Sequence, residues 1–256
     1  MSGLGLISTY SSDSEDDEVI QDNGNKSSEV SERLPLPASI TTWRGVPHHD
    51  DINDDPLEHE GRVRSFKHER GNWATLVYID YKPSETMLSW MLSVLKEVPI
   101  ECNIFPEQFH ISVTRTLILK YHWIESFVEE IKKLCNKTDQ FNLELLNIRA
   151  YLNEDKTRTF LGIECVDYKN ILAHFIKDLN QFLAEYELPG FYEDSSYHIS
   201  FAWCLGDEIA RLNDLIPSLT IKLNQFLADH TEDRSINVNK IHLKISNKLY
   251  VFKLRQ

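Results

Sequence analysis

Two short stretches put a histidine and a serine, two residues apart, into what otherwise reads as a buried strand. The first is Phe109-His110-Ile111-Ser112-Val113 and the second is Tyr197-His198-Ile199-Ser200-Phe201. In a strand, residues i and i+2 share a face. His110 and Ser112 therefore point one way, and Phe109, Ile111 and Val113 the other. His198 and Ser200 likewise share a face, with Tyr197, Ile199 and Phe201 opposite. The apolar sets suit a core. An imidazole or hydroxyl buried without a partner costs on the order of 1–3 kcal/mol. The polar pairs are thus expected to face a water-filled cleft, and two such strands call for two lobes around it.

The rest of the chain supplies those lobes. Residues 72–81 read as a strand, and 84–98 as a helix opened by a Ser84 cap. The 109–116 stretch alternates as a strand. Residues 122–137 place Ile124, Phe127, Val128, Ile131 and Leu134 on one helical face. Strands at 141–151 and 157–165 flank a hairpin loop, Leu152-Asn153-Glu154-Asp155-Lys156. The order then partly repeats. A long amphipathic helix spans 168–188, a strand 196–204, and a helix 207–229 with Pro217 as a kink or break; strands at 236–246 and 248–254 follow. The pattern predicts an α+β fold of two lobes with an approximate pseudo-twofold repeat, each lobe a mainly antiparallel sheet flanked by helices.

Charge separates this region from what precedes it. Residues 1–60 hold 14 Asp and Glu against 3 Lys and Arg, whereas residues 61–256 hold 26 against 24. The acidic segment 1–60 has little apolar surface to bury and is expected to be disordered, with the two-lobed domain spanning 61–256. Its Ser11-Ser12-Asp13-Ser14-Glu15-Asp16-Asp17-Glu18 stretch suits acidic-directed serine phosphorylation, or is simply a solvated tail. The near-neutral domain can still carry a local basic groove for phosphate. Arg62, Arg64, Lys67 and Arg70, with Lys156 and Arg158 near the hairpin, offer either that groove or a solvated face. No run approaches the roughly 18 apolar residues of a membrane span. Four scattered cysteines without a CxxC read as reduced core thiols.

Two imidazoles across one cleft suit a reaction that moves two protons, because one can accept while the other donates near neutral pH. Two hydroxyls can donate to phosphoryl oxygens as charge builds there. Such a site calls for no metal cage and no cofactor.

These paired motifs resemble the 2H phosphoesterase superfamily, whose two lobes each contribute an HxS strand to a central groove. Residues 61–79, 156–164 and 191–207 are similar to the narrower family of eukaryotic U6 small nuclear RNA phosphodiesterases. The resemblance implies a nuclear, monomeric, metal-independent 3′–5′ exonuclease acting on the single-stranded 3′ end of U6 RNA and leaving a modified end. It implies a catalytic tetrad of His110, Ser112, His198 and Ser200, with His198 as base and His110 as acid. It puts Tyr192 against the terminal base, consistent with the use of aromatics on single-stranded RNA. Ser196 and Tyr197 fall on the phosphate and nucleoside side, and Glu154 where some relatives carry a glutamine that contacts a base. Opening of 2′,3′-cyclic phosphates, hydrolysis of 2′–5′ oligoadenylates, and a non-catalytic RNA-binding role remain as alternatives.

Overall fold

The computed structural model describes residues 69–105, 109–192 and 196–256. The acidic segment 1–60, the domain boundary at 61, and Arg62, Arg64 and Lys67 lie outside the described residues.

The helices form where apolar residues recur at helical spacing. Helix α1, Glu85–Leu95, buries Met87, Met91 and Val94, and the Ser84 side chain caps it by accepting from the Met87 N–H. Helix α2, Ile124–Lys137, follows a 3-10 turn at Tyr121–Trp123 and buries Phe127, Ile131 and Cys135. Helix α3, Ile171–Glu185, is anchored by Asp167, whose carboxylate accepts from the N–H groups of Lys169 and Leu172. The predicted 207–229 helix is two: α4, Ile209–Asn213, and α5, Ile216–Asp229. Pro217 sits in the first turn of α5, where its missing N–H is harmless. No helix among the described residues is long and apolar enough to cross a membrane.

Ten strands among the described residues form one antiparallel sheet. They are β1 (Asn72–Tyr81), β2 (Asn103–Ile104), β3 (Phe109–Ser112), β4 (Leu117–Lys120), β5 (Phe141–Leu152), β6 (Arg158–Val166), β7 (Tyr197–Leu205), β8 (Ser235–Val238), β9 (Lys240–Ile245) and β10 (Lys248–Lys253). The order is β10-β9-β1-β3-β7-β6-β5-β8, with β4 on β1 and β2 on β7. Strands β3 and β7 sit side by side in the middle. Each belongs to a half-sheet of five strands, β4 joining the first and β2 the second, which gives the expected pseudo-twofold plan.

The lobes are not the two halves of the sequence. Helix α1 follows β1 yet packs across the other half-sheet: Trp90 lies 6.4 Å from Phe201 of β7 and 5.6 Å from Phe226 of α5, ring to ring. Helix α3 follows β6 yet packs on α2, with Phe182 and Phe127 rings 5.2 Å apart, and α2 lies on β9 and β10. The predicted strand 236–246 is two strands on opposite half-sheets: β8 pairs with β5, and β9 with β1. The break has a physical sign in the sequence. The apolar phase runs Ile236, Val238 and then slips to Ile241, Leu243, Ile245, and one continuous strand cannot bury both sets on one face. The predicted strand 109–116 also ends early, at Ser112, and the chain re-enters the sheet at Leu117.

Candidate active site

Among the described residues, β3 and β7 share one in-register pair, Ile111 with Ile199, and both side chains are fully buried. Antiparallel alternation then sets His110 beside Ser200 and Ser112 beside His198, all on the face away from those isoleucines. The tetrad is thus assembled diagonally about one backbone pair. On the outer sides, Asp80 and Tyr78 of β1 lie opposite His110 and Ser112, while Glu164 and Gly162 of β6 lie opposite His198 and Ser200. Leu161 pairs with Ala202 and Gly162 with Ser200, which leaves Phe201 as the extra residue of a β-bulge. The bulge sharpens the local twist and ends the polar-facing run at Ser200.

His198 is held from several sides. Its Nδ1–H donates to the Ser196 carbonyl at 2.7 Å. That bond fixes the tautomer and leaves the Nε2 lone pair for the cleft. The ring stacks on Tyr151, with centroids 3.7 Å apart and planes 15° from parallel. The Tyr151 hydroxyl and Ser196 Oγ are 2.8 Å apart, Ser196 Oγ donates to Glu164 at 3.3 Å, and Glu164 accepts from Arg149 at 3.1 Å. Burial pushes the His198 pKa below its ordinary 6.5; the Ser196 carbonyl pulls it up, His110 and Arg149 push it down, and Glu164 pulls it up. Burial raises the Tyr151 hydroxyl to about 12, so it stays a donor.

Gly162 makes the stack possible. A Cβ there would lie 2.9 Å from Tyr151 Cε2 and 3.3 Å from His198 Cδ2. A glycine in a strand interior marks such a close approach.

His110 has a different setting. Tyr78 meets it edge-on at 5.5 Å, and the other side of that tyrosine stacks on His242 at 5.3 Å. The two histidines are therefore unequal: one lies flat in a half-buried stack and the other against an aromatic edge.

Of the predicted substrate-binding residues, Tyr192, Glu154 and Ser196 gather at the Ser112 and His198 end. Tyr192 is 45% exposed, which leaves ring surface open to a ligand, and the Arg115 guanidinium lies 4.1 Å over its ring centroid. Arg115 also donates to Glu154, so Glu154 joins Tyr192 through a shared arginine. Ser196 enters the His198 network by both its carbonyl and its hydroxyl. Tyr197 projects to the opposite face of β7, where its ring stacks 6.3 Å from Phe191 beside a cavity of about 540 Å³ against α3.

Sequence reasoning missed Tyr151, Glu164, Arg149, Arg115 and Tyr78. A signal existed for the first three. Arg149 and Tyr151 share a strand face, and so do Gly162 and Glu164, the same i, i+2 logic that picked out the histidines.

A family model described as HVSL, an uncharacterised conserved protein, matches residues 34–253. The U6 snRNA phosphodiesterase 1 of Danio rerio is 36% identical over 240 residues, covering 90% of this chain and 84% of that protein. The Xenopus laevis protein of that name is 36% identical over 261 residues, covering 98% and 100%. The Homo sapiens protein is 32% identical over 232 residues, covering 88% and 85%. Among solved structures, Usb1 of Kluyveromyces marxianus with uridine monophosphate matches with a TM-score of 0.53 at 13% identity, over 71% of this chain and 98% of that one, a likeness of fold. With relatives this similar over most of both chains, this protein belongs to the U6 snRNA phosphodiesterase 1 family.

Proposed function

We propose that the chain is a 3′–5′ exoribonuclease of the 2H phosphoesterase superfamily that trims the 3′ end of U6 small nuclear RNA in the nucleus, in support of splicing. The observation that carries this reading is the diagonal tetrad: two imidazoles, each beside a serine hydroxyl, on one face and from one chain. A single subunit is sufficient for it. The family relatives, each named for a U6 snRNA phosphodiesterase, support the substrate.

His198 Nε2 takes the proton of the ribose 2′-hydroxyl just 5′ of the last linkage. That oxygen attacks the adjacent phosphorus, the bond to the 5′-oxygen of the terminal nucleoside breaks, and His110 gives that oxygen a proton. The lowered pKa and fixed tautomer of His198 support its role as base. Ser112 and Ser200 donate to the non-bridging oxygens as charge grows. The products are the freed nucleoside and an RNA ending in a 2′,3′-cyclic phosphate. Tyr192 stacks on the terminal base, with Glu154 beside it through Arg115. Ser196 frames the nucleoside and orients His198, whereas Tyr197, on the opposite face of β7, supports this end of the strand from behind through Phe191. Protein groups carry every charge and proton in this scheme, so EDTA is expected to leave the rate unchanged.

The test is the 2′-hydroxyl. A 2′-deoxy sugar just 5′ of the scissile phosphate should give an RNA that binds, competes and is not cleaved. A 2′-deoxy terminal nucleotide should still be removed, because that sugar leaves and does not attack. Equal trimming of both RNAs would mean that water attacks and that the enzyme is a hydrolase.

A further inference from the structure

The catalytic face has two ends. Arg115, past the end of β3, and Tyr192, before the start of β7, mark the Ser112 and His198 end. Asp80, opposite His110, marks the other. At this second end lies a cavity of about 490 Å³, whose lining includes Asp80, Lys82, Glu232, Asp233, Lys240 and His242. Such a volume is within the range of small-ligand sites.

Its chemistry is mixed. Two lysines stand against three carboxylates, so a bare phosphate is a poor match. Donors and acceptors around an aromatic wall are instead the features that read the edge and face of a nucleobase. His242 supplies the wall. It pairs across the sheet with Tyr78, which pairs with Ser112, so it shares the face of the tetrad. Its ring stacks on Tyr78, and its buried Nδ1 has no hydrogen-bond partner among the described residues. That nitrogen is enclosed by protein, so a ligand in the cavity meets other parts of the ring. Two strand spacings, roughly 10 Å, separate His242 from Ser112. That is a span one nucleotide can cross.

We propose that this cavity holds the base of the nucleotide immediately 5′ of the scissile phosphate, with His242 as a direct contact. This rests on the reading above, in which the terminal base takes the Tyr192 end and the remaining strand must leave by the other. The enzyme then grips both nucleotides that flank the bond it breaks, and the preference it shows at the penultimate position is set on β1 and β9.

Three oligouridylates test this: unmodified, abasic at the penultimate ribose with its 2′-hydroxyl kept, and 2′-deoxy at that same ribose. For the full chain, the abasic change should raise KM about tenfold. His242→Ala should raise KM by about as much on the unmodified RNA and change little on the abasic one, with kcat within about twofold throughout. Lys240→Ser, at the exposed start of β9, should show the same pattern and does not depend on the Tyr78 stack. Equal effects of both variants on the two RNAs, or a loss confined to kcat, would overturn the proposal. Failure of the transesterification reading shows separately, as cleavage of the 2′-deoxy RNA by the unmodified enzyme.

Discussion

The imidazole of His198 lies flat on the ring of Tyr151, 3.7 Å between centroids, and Gly162 opposite Ser200 is what leaves room for it. The stack fixes the plane of the imidazole while the Ser196 carbonyl fixes its tautomer. Tyr151→Leu should lower kcat about 10- to 100-fold with KM nearly unchanged, since misplacing a catalytic group by about 1 Å has effects of that size. Tyr151→Phe keeps the ring and should lose much less. Gly162→Ala should resemble Tyr151→Leu. Steady-state kinetics on a short RNA checks all three, and a Gly162→Ala enzyme with normal kcat would refute the role given to the stack.

Burial makes His198 a weaker base than free histidine, which has a visible pH consequence. As pH falls, the enzyme should keep its activity past 6.5 and lose it only when the depressed His198 pKa is reached and Nε2 is protonated. Arg149→Met removes a positive neighbour, so the acid limb of kcat/KM should move to higher pH. Glu164→Gln removes a negative one and should move it lower. Movement of both limbs in the same direction would rule out His198 as the titrating group. The fold follows the same sign. Below about pH 6.5 the unfolded chain takes up the proton first, so stability declines as pH drops.

Replacing His110 or His198 by Ala should each remove about 10²- to 10⁴-fold of the rate while RNA still binds. The double variant should be little slower than the slower single one, because the two act as a unit on one proton inventory. Fully multiplicative losses in single-turnover assays would show instead that they act independently.

Phe127 ties α2 to α3, with its ring 5.2 Å from Phe182 and 6.4 Å from Tyr186, and it is fully buried. Phe127→Ala should cost about 3–5 kcal/mol in equilibrium denaturation. A cost below about 1 kcal/mol would mean that the helices can close over the gap.

The two His-x-Ser strands were legible because strand alternation is local: His110 and Ser112 share a face whatever else the chain does. The Ser84 cap, the hairpin around Asn153 and the Pro217 break were legible for the same reason, since each depends on a few neighbouring residues. What was not legible is carried by contacts across long separations. Nothing near Trp90 says that its helix will cross to Phe226, and nothing near Arg115 says that it will sit between Tyr192 and Glu154. The 236–246 stretch lies between these cases. Its phase slip at Asn239 is visible in the sequence, but that the two pieces join opposite half-sheets is settled only by what β5 and β1 leave unpaired.

That return of β9 to β1 sets an order of events during synthesis. Thr75 pairs with Ile245 and Tyr78 with His242, so β1 emerges from the ribosome long before its outer neighbour exists. Until the chain has grown past Ile245, the outer side of β1 has no partner, and the strand that frames His110 is braced by β3 and β4 alone. Open edges of this kind invite mispairing, and pairings between distant segments form slowly. The nascent chain is therefore expected to be most prone to mispairing along β1 until β9 is made.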